Sequence, residues 1–228
     1  MKKITYLILL VLICSGCATK RVMFLKDPKL TKITVDDESV ILMTITTDNW
    51  NAPKHIPKVL GGNVWSIDIP KTKKYYWKII EKAFDTYKDI STEYLVGVKM
   101  PAGQYKLREL TAMSSSLLSN GVFIAPVYSN FTLEPNEIVY IGHIEAIVVK
   151  RTEDEQLRAG PVIPLIDQSI AGASSGTFNI TISDDYENDI AKFLKEYPLL
   201  EGKDINKRVM ENWTQPSKEE MKPKNNNL

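Results

Sequence analysis

Apolar side chains recur along this chain with two periods. From Ser39 to Thr47, Val40, Leu42 and Thr44 alternate with Ile41, Met43 and Ile45. Apolar residues in both registers predict a strand covered on both faces. Asn49 to Gly62, with two prolines and paired glycines, predicts a loop, and Asn63 to Ile69 a short strand carrying Val64, Trp65, Ile67 and Ile69. Tyr76, Ile79, Ile80, Ala83, Phe84 and Tyr87 fall at steps of three and four, which predicts an amphipathic helix.

The strongest β pattern begins at Tyr94. Tyr94 to Lys99 is apolar and β-branched, Met100-Pro101-Ala102-Gly103 has the composition of a turn, and Gln104 to Leu110 resumes the alternation. Ser114 to Gly121 is a serine-rich connection. Strands are predicted at Val122 to Val127 and Ser129 to Leu133, then a turn at Glu134 to Glu137 and a long strand from Ile138 to Lys150. Gly142 inside that strand marks a bulge or bend. Arg158 to Gly176 reads as an extended loop and Thr177 to Ile182 as a half-buried strand. A helix follows from Ser183-Asp184-Asp185, with Ile190, Phe193, Leu194 and Tyr197 on its buried face and Pro198 at its end.

Two stretches carry a family resemblance. Met100 to Leu107 (Met-Pro-Ala-Gly-Gln-Tyr-Lys-Leu) and Phe131 to Gly142 (Phe-Thr-Leu-Glu-Pro-Asn-Glu-Ile-Val-Tyr-Ile-Gly) are similar to hairpins of the prealbumin-like or carboxypeptidase-regulatory-like domains found in bacterial lipoproteins. Several short strands with Pro/Gly turns already suggest a mainly β, α+β fold, an antiparallel β-sandwich with an inserted helix and a C-terminal helix, and the resemblance strengthens this and implies the immunoglobulin or prealbumin-like type. It covers about a quarter of the chain and carries no catalytic residue with it.

The N-terminus has a different character. Lys2 and Lys3 precede the apolar run Ile4 to Ile13, and Ser15-Gly16 are small, which is the pattern of a signal peptide. The run is about 10 residues long, half of the roughly 20 that span a bilayer. Ile13-Cys14-Ser15-Gly16-Cys17 resembles the bacterial lipobox, departing from it at Cys14, where that family prefers leucine. The resemblance implies cleavage between Gly16 and Cys17 and acylation of Cys17. Two or three acyl chains would hold the protein on a bilayer durably. Ala18, in place of aspartate, resembles the signal for transfer to the outer membrane.

These readings divide the chain into a signal peptide (1–16), a lipidated N-terminus and stalk (17–37), the sandwich (38–213) and a polar, disordered tail (214–228). Composition narrows the function. The formal charge of the whole sequence is +1, and loss of Lys2 and Lys3 leaves it slightly negative, so a nucleic-acid partner is not expected. Both cysteines lie at or before the cleavage site, leaving no disulfide and no thiol catalyst in the mature domain.

Candidate chemistry is sparse. Gly172-Ala-Ser174-Ser-Gly176 matches the serine-hydrolase pentapeptide, but a strand is predicted after it where a helix is required, and no histidine follows it. His55 and His143 are the only histidines. His143 shares a strand face with Glu145, a pair too small to hold a metal. Asp184, Asp185, Glu187 and Asp189 lack the glycine and terminal glutamate of an EF-hand loop and are explained by helix capping and the helix dipole. Trp50, Trp65 and Trp77 are candidates for a sugar or peptide site, although scattered aromatics are more often core. Asn130, Asn179 and Asn212 match the glycosylation sequon, which has little meaning behind a bacterial lipobox.

The expectation is therefore a membrane-anchored envelope lipoprotein with no catalytic residues, metal or cofactor. It would act as a non-enzymatic binding or scaffolding module whose partners are the bilayer, through Cys17, and an envelope protein or glycan. The alternative is an envelope hydrolase or carbohydrate-processing enzyme built on facing carboxylates.

Overall fold

The computed structural model describes residues 19–22, 33, 38–68, 74–78, 92–115, 120–163 and 168–221. Gly16, Cys17 and the signal peptide lie outside them. The strand predicted from Ser39 is β2 (Glu38–Asn49), and it is buried on both faces because it is central in a sheet that is itself covered on both sides. It pairs with β5 (Thr92–Pro101) along one edge and with β9 (Ile138–Lys150) along the other. β10 (Gly176–Ser183) and the short β11 (Asn206–Lys207) pair with β9 and complete this sheet.

The opposing sheet runs in the order β1 (Thr19–Val22), β4 (Lys74–Lys78), β3 (Lys58–Ser66), β6 (Gly103–Ser115), β7 (Asn120–Ala125), with β8 (Ser129–Leu133) also paired to β6. The two sheets form a β-sandwich. Ile41, Met43 and Ile45 of β2 meet Val64, Tyr75, Trp77, Leu107 and Phe123 of the opposing sheet in the core between them. A second apolar layer lies outside β2 and β9, where Val40, Leu42 and Tyr140 pack under helix α1 (Tyr186–Glu196) through Ile190 and Phe193.

The pairing is mixed where the sequence suggested an antiparallel sandwich. β2 and β9 run parallel, as do β1 with β4 and β11 with β9. β9 enters this sheet from β8 through the Glu134–Glu137 turn and runs in the direction of β2, which the intervening strands of the other sheet make possible.

Three local readings are corrected. Gly61 and Gly62 are in strand β3, not in a loop, because the backbone of Trp77 approaches within 2.0 Å of where a Cβ on Gly61 would stand, and the Trp77 ring lies 2.7 Å from that of Gly62. Tyr76 and Trp77 are in β4, not a helix: Tyr75 and Trp77 point into the core while Lys74 and Lys78 are exposed, a period of two. The remainder of the expected helix, residues 79–87, lies outside the described residues. Residues 214–221 of the expected tail follow a defined path, with Gln215 Nε2 donating to the Glu155 carbonyl (3.3 Å) and a short helix α2 (Lys218–Met221).

β9 carries the predicted bulge. Leu42 pairs with Tyr140 but Thr44 with His143, so Ile141 and Gly142 together oppose Met43. Gly142 has φ +124°, a conformation that side chains with a Cβ rarely adopt. Strict alternation from Ile141 would send His143 into the core. The extra residue turns His143 outward instead, toward α1.

Candidate functional site

Beneath α1 lies a buried carboxylate. Asp189 has no exposed surface, because it occupies the same helical stripe as Ile190 and Phe193. It accepts hydrogen bonds from the Tyr140 hydroxyl (2.7 Å) and from His143 Nδ1 (3.1 and 3.2 Å to its two oxygens). His143 Nε2 lies 2.9 Å from Thr46 Oγ1. The Lys192 ammonium is 3.5 Å from Asp189 and 2.7 Å from Glu93, one strand over. Tyr186 closes the cluster with its ring edge-on to Tyr140, at 5.5 Å.

Electrostatics bias the protonation states. Burial disfavours charge on His143, but the hydrogen bond and field of Asp189, with Glu93 behind it, outweigh that and raise the imidazole above its ordinary value. Burial also works against the Asp189 carboxylate, yet the donors His143 and Tyr140 hold it below the usual range. Burial and the hydrogen bond to Asp189 push the Tyr140 phenol well up, so it remains a donor. Both shifts favour an imidazolium facing a carboxylate.

The pH dependence follows. His143, raised in the folded state, contributes stability that is complete below its unfolded value of about 6.5 and is lost as pH climbs through the folded value above it. Asp189, depressed, contributes above its unfolded value of about 3.9 and loses that contribution as pH falls through the folded value. The pair therefore supports the fold most between these limits. The difference in urea midpoint between wild type and His143→Gln is expected to shrink as pH rises past neutrality. A difference that stays constant from acid to alkaline pH would show that His143 does not ionise as described.

The sequence candidates disperse. His143 and Glu145 share the outer face, as expected, but His143 engages Asp189 and not Glu145. Asp184 accepts the Tyr186 amide (3.2 Å) and pairs with Lys207 (2.7 Å), whereas Asp185, the residue before α1, makes no cap through its side chain and accepts instead from Asn188 (2.6 Å). His143, Asp185 and Asp189 offer ligand atoms within 4.8 Å of one another. The Asp189 oxygens there already accept from His143 and Tyr140 beside the Lys192 cation, an environment that repels a metal ion.

Ser174 sits in the turn before β10, with its carbonyl bonded to Arg158. The ring of His55, the other histidine, faces Ser114 Oγ at 3.4 Å. The three tryptophans do not converge: Trp77 is buried in the core, Trp65 lies on the opposite face of the same sheet, and Trp50, 63% exposed, follows β2 in the other sheet and donates to Asp48 (2.7 Å). No family model matches the sequence, and neither a curated protein nor a solved structure matches the chain.

Proposed function

We propose that this chain is a bacterial envelope lipoprotein, held on the outer membrane by acyl chains on Cys17, whose sandwich serves as a non-enzymatic binding or scaffolding module. The observation that carries the reading is the run from Lys2 to Cys17, in which a basic start, a short apolar stretch and Ser15-Gly16-Cys17 occur in the order that a lipoprotein signal peptidase requires. The polar cluster under α1 is consistent with a binding module, since its groups are spent on one another and on fixing the helix. Expression of the wild type beside Cys17→Ala tests the anchor. The wild type is expected to gain acyl mass and sediment with the outer membrane, and the variant to do neither. A soluble, unmodified wild type would end the proposal.

One observation favours a hydrolase instead. Thr46, His143 and Asp189 are connected in the hydroxyl–imidazole–carboxylate order of a nucleophilic relay. Three features weigh against it. Asp189 raises the imidazole above its ordinary value, which favours the charged form, and that form has no lone pair to take the threonine proton. Asp189 is shared with Tyr140 and Lys192. Thr46 lies within a central strand whose backbone is paired on both sides with β5 and β9, so it has no pair of free amides for an oxyanion. A fluorophosphonate probe is expected to label neither Thr46 nor Ser174. Labelling of Thr46 that disappears in His143→Gln would replace the binding-module reading with an esterase-like one, and labelling of Ser174 would revive the pentapeptide.

A further inference from the structure

We infer that the β1/β4 edge of the sheet opposing β2, with Trp65 and Ile67 beside it, rests directly against anionic lipid headgroups, so that the sandwich is held in one orientation on the membrane. The inference rests on acylation of Cys17. One residue, Ala18, separates Cys17 from Thr19, the first residue of β1, and two Cα–Cα steps span at most about 7 Å in any conformation. β1 is not on a free stalk: Thr19 is in register with Tyr75, and the strand runs parallel to β4 as far as Lys78. A lipid on Cys17 thus brings the Lys74 end of this sheet edge within about one Debye length, roughly 10 Å, of the bilayer surface.

The chemistry of that edge suits such a surface. The two strands of that edge, residues 19–22 and 74–78, together contain Lys20, Arg21, Lys74 and Lys78 and no acidic residue, in a chain that is otherwise nearly neutral. Lys74 and Lys78 are exposed. Trp65 is paired across the sheet with Lys74 on one side and Lys106 on the other, and the Lys74 ammonium lies 4.8 Å and the Arg108 guanidinium 3.6 Å from its ring. Ile67, just past the end of β3, is 50% exposed. A tryptophan beside lysines, next to an exposed aliphatic side chain, is the combination that settles at the headgroup level. Of the acids on this face, Asp68 accepts from the Gln104 amide and Glu109 from Asn63, while Glu220 of α2 lies near Lys106 and accepts from the Ser217 amide.

The test uses the acylated protein in vesicles. Cleavage removes Cys14 and acylation occupies Cys17, so a cysteine introduced at Ile67 or Val162 is the sole free thiol. Val162, 68% exposed, follows Gly160, which packs on β7 at the opposite edge of the sheet, and serves as the distant reference. Each variant carries a polarity-sensitive fluorophore and is placed in phosphatidylcholine vesicles with or without phosphatidylglycerol, with a quencher on the lipid headgroups.

The Ile67→Cys label is expected to be quenched several-fold more than the Val162→Cys label, most strongly with phosphatidylglycerol. Adding Lys74→Glu and Lys78→Glu should weaken this, since each basic group at such a surface is worth roughly fivefold in partitioning. Acylated protein in which the two labels are quenched alike overturns the orientation but leaves the anchor standing. Protein without acyl mass overturns both.

Discussion

Replacing Trp77 with alanine is expected to cost about 3–5 kcal/mol, among the largest losses available to a single aromatic truncation. Trp77 is 1% exposed and is among the largest of the fully buried side chains. It fills the space between the sheets from β4, and the sequence has cleared room for it: Gly62, its partner on β3, stands where a Cβ would meet the indole at 2.7–2.9 Å. Among the described residues the buried indole Nε1 has no hydrogen-bond partner, so the ring contributes through packing. Two consequences separate this account from a generic core effect. Trp77→Phe, which keeps an aromatic and removes the unpartnered N–H, should cost far less than Trp77→Ala. Gly61→Ala should also destabilise, because its methyl would strike the Trp77 carbonyl and part β3 from β4. Urea denaturation of the three variants decides the matter. A Trp77→Ala loss below that of Trp77→Phe would mean that the ring is not seated as described.

How far the sequence foretold these features depends on whether the cause was local. β9 was legible from end to end, and even its bulge could be read, because the apolar register shifts at Gly142: Val139 and Ile141 face the core before it, Ile144 and Ala146 after it. β2 announced its two covered faces. The glycines of β3 misled, since a glycine that makes room for an indole from another strand is indistinguishable in one sequence from a glycine that permits a turn. β4 misled because one of its three aromatic residues, Tyr76, also begins a plausible helical stripe. The parallel pairing of β2 with β9 has no signature in either strand alone. The Asp189 cluster joins residues from β2, β5, β9 and α1, and its one sequence trace was overlooked: within α1 an acid falls on the stripe shared by Ile190 and Phe193, where a helix cannot leave it unpartnered. Read as a capping group together with Asp184 and Asp185, Asp189 was placed on the wrong face.

That misplaced acid gives the second large effect. Asp189→Ala is expected to destabilise the protein by about 3–5 kcal/mol, because removing one partner of a buried pair leaves the other without compensation. His143 would retain burial without its counter-ion, and the Tyr140 hydroxyl would lose its acceptor beneath the helix. The loss should concentrate on α1, whose amides would exchange with deuterium much faster while those of β3 and β6 in the opposing sheet change little. Tyr140→Phe removes only a hydrogen bond to a charged group and should cost about 1.5–3 kcal/mol. Combining Asp189→Ala with His143→Leu should cost less than the sum of the single changes, since the second substitution removes the orphaned charge that the first creates. Strict additivity would show that the two groups do not interact in the folded state. In that case the role assigned to the bulge at Gly142, which turns His143 toward the helix, would fall with the pair.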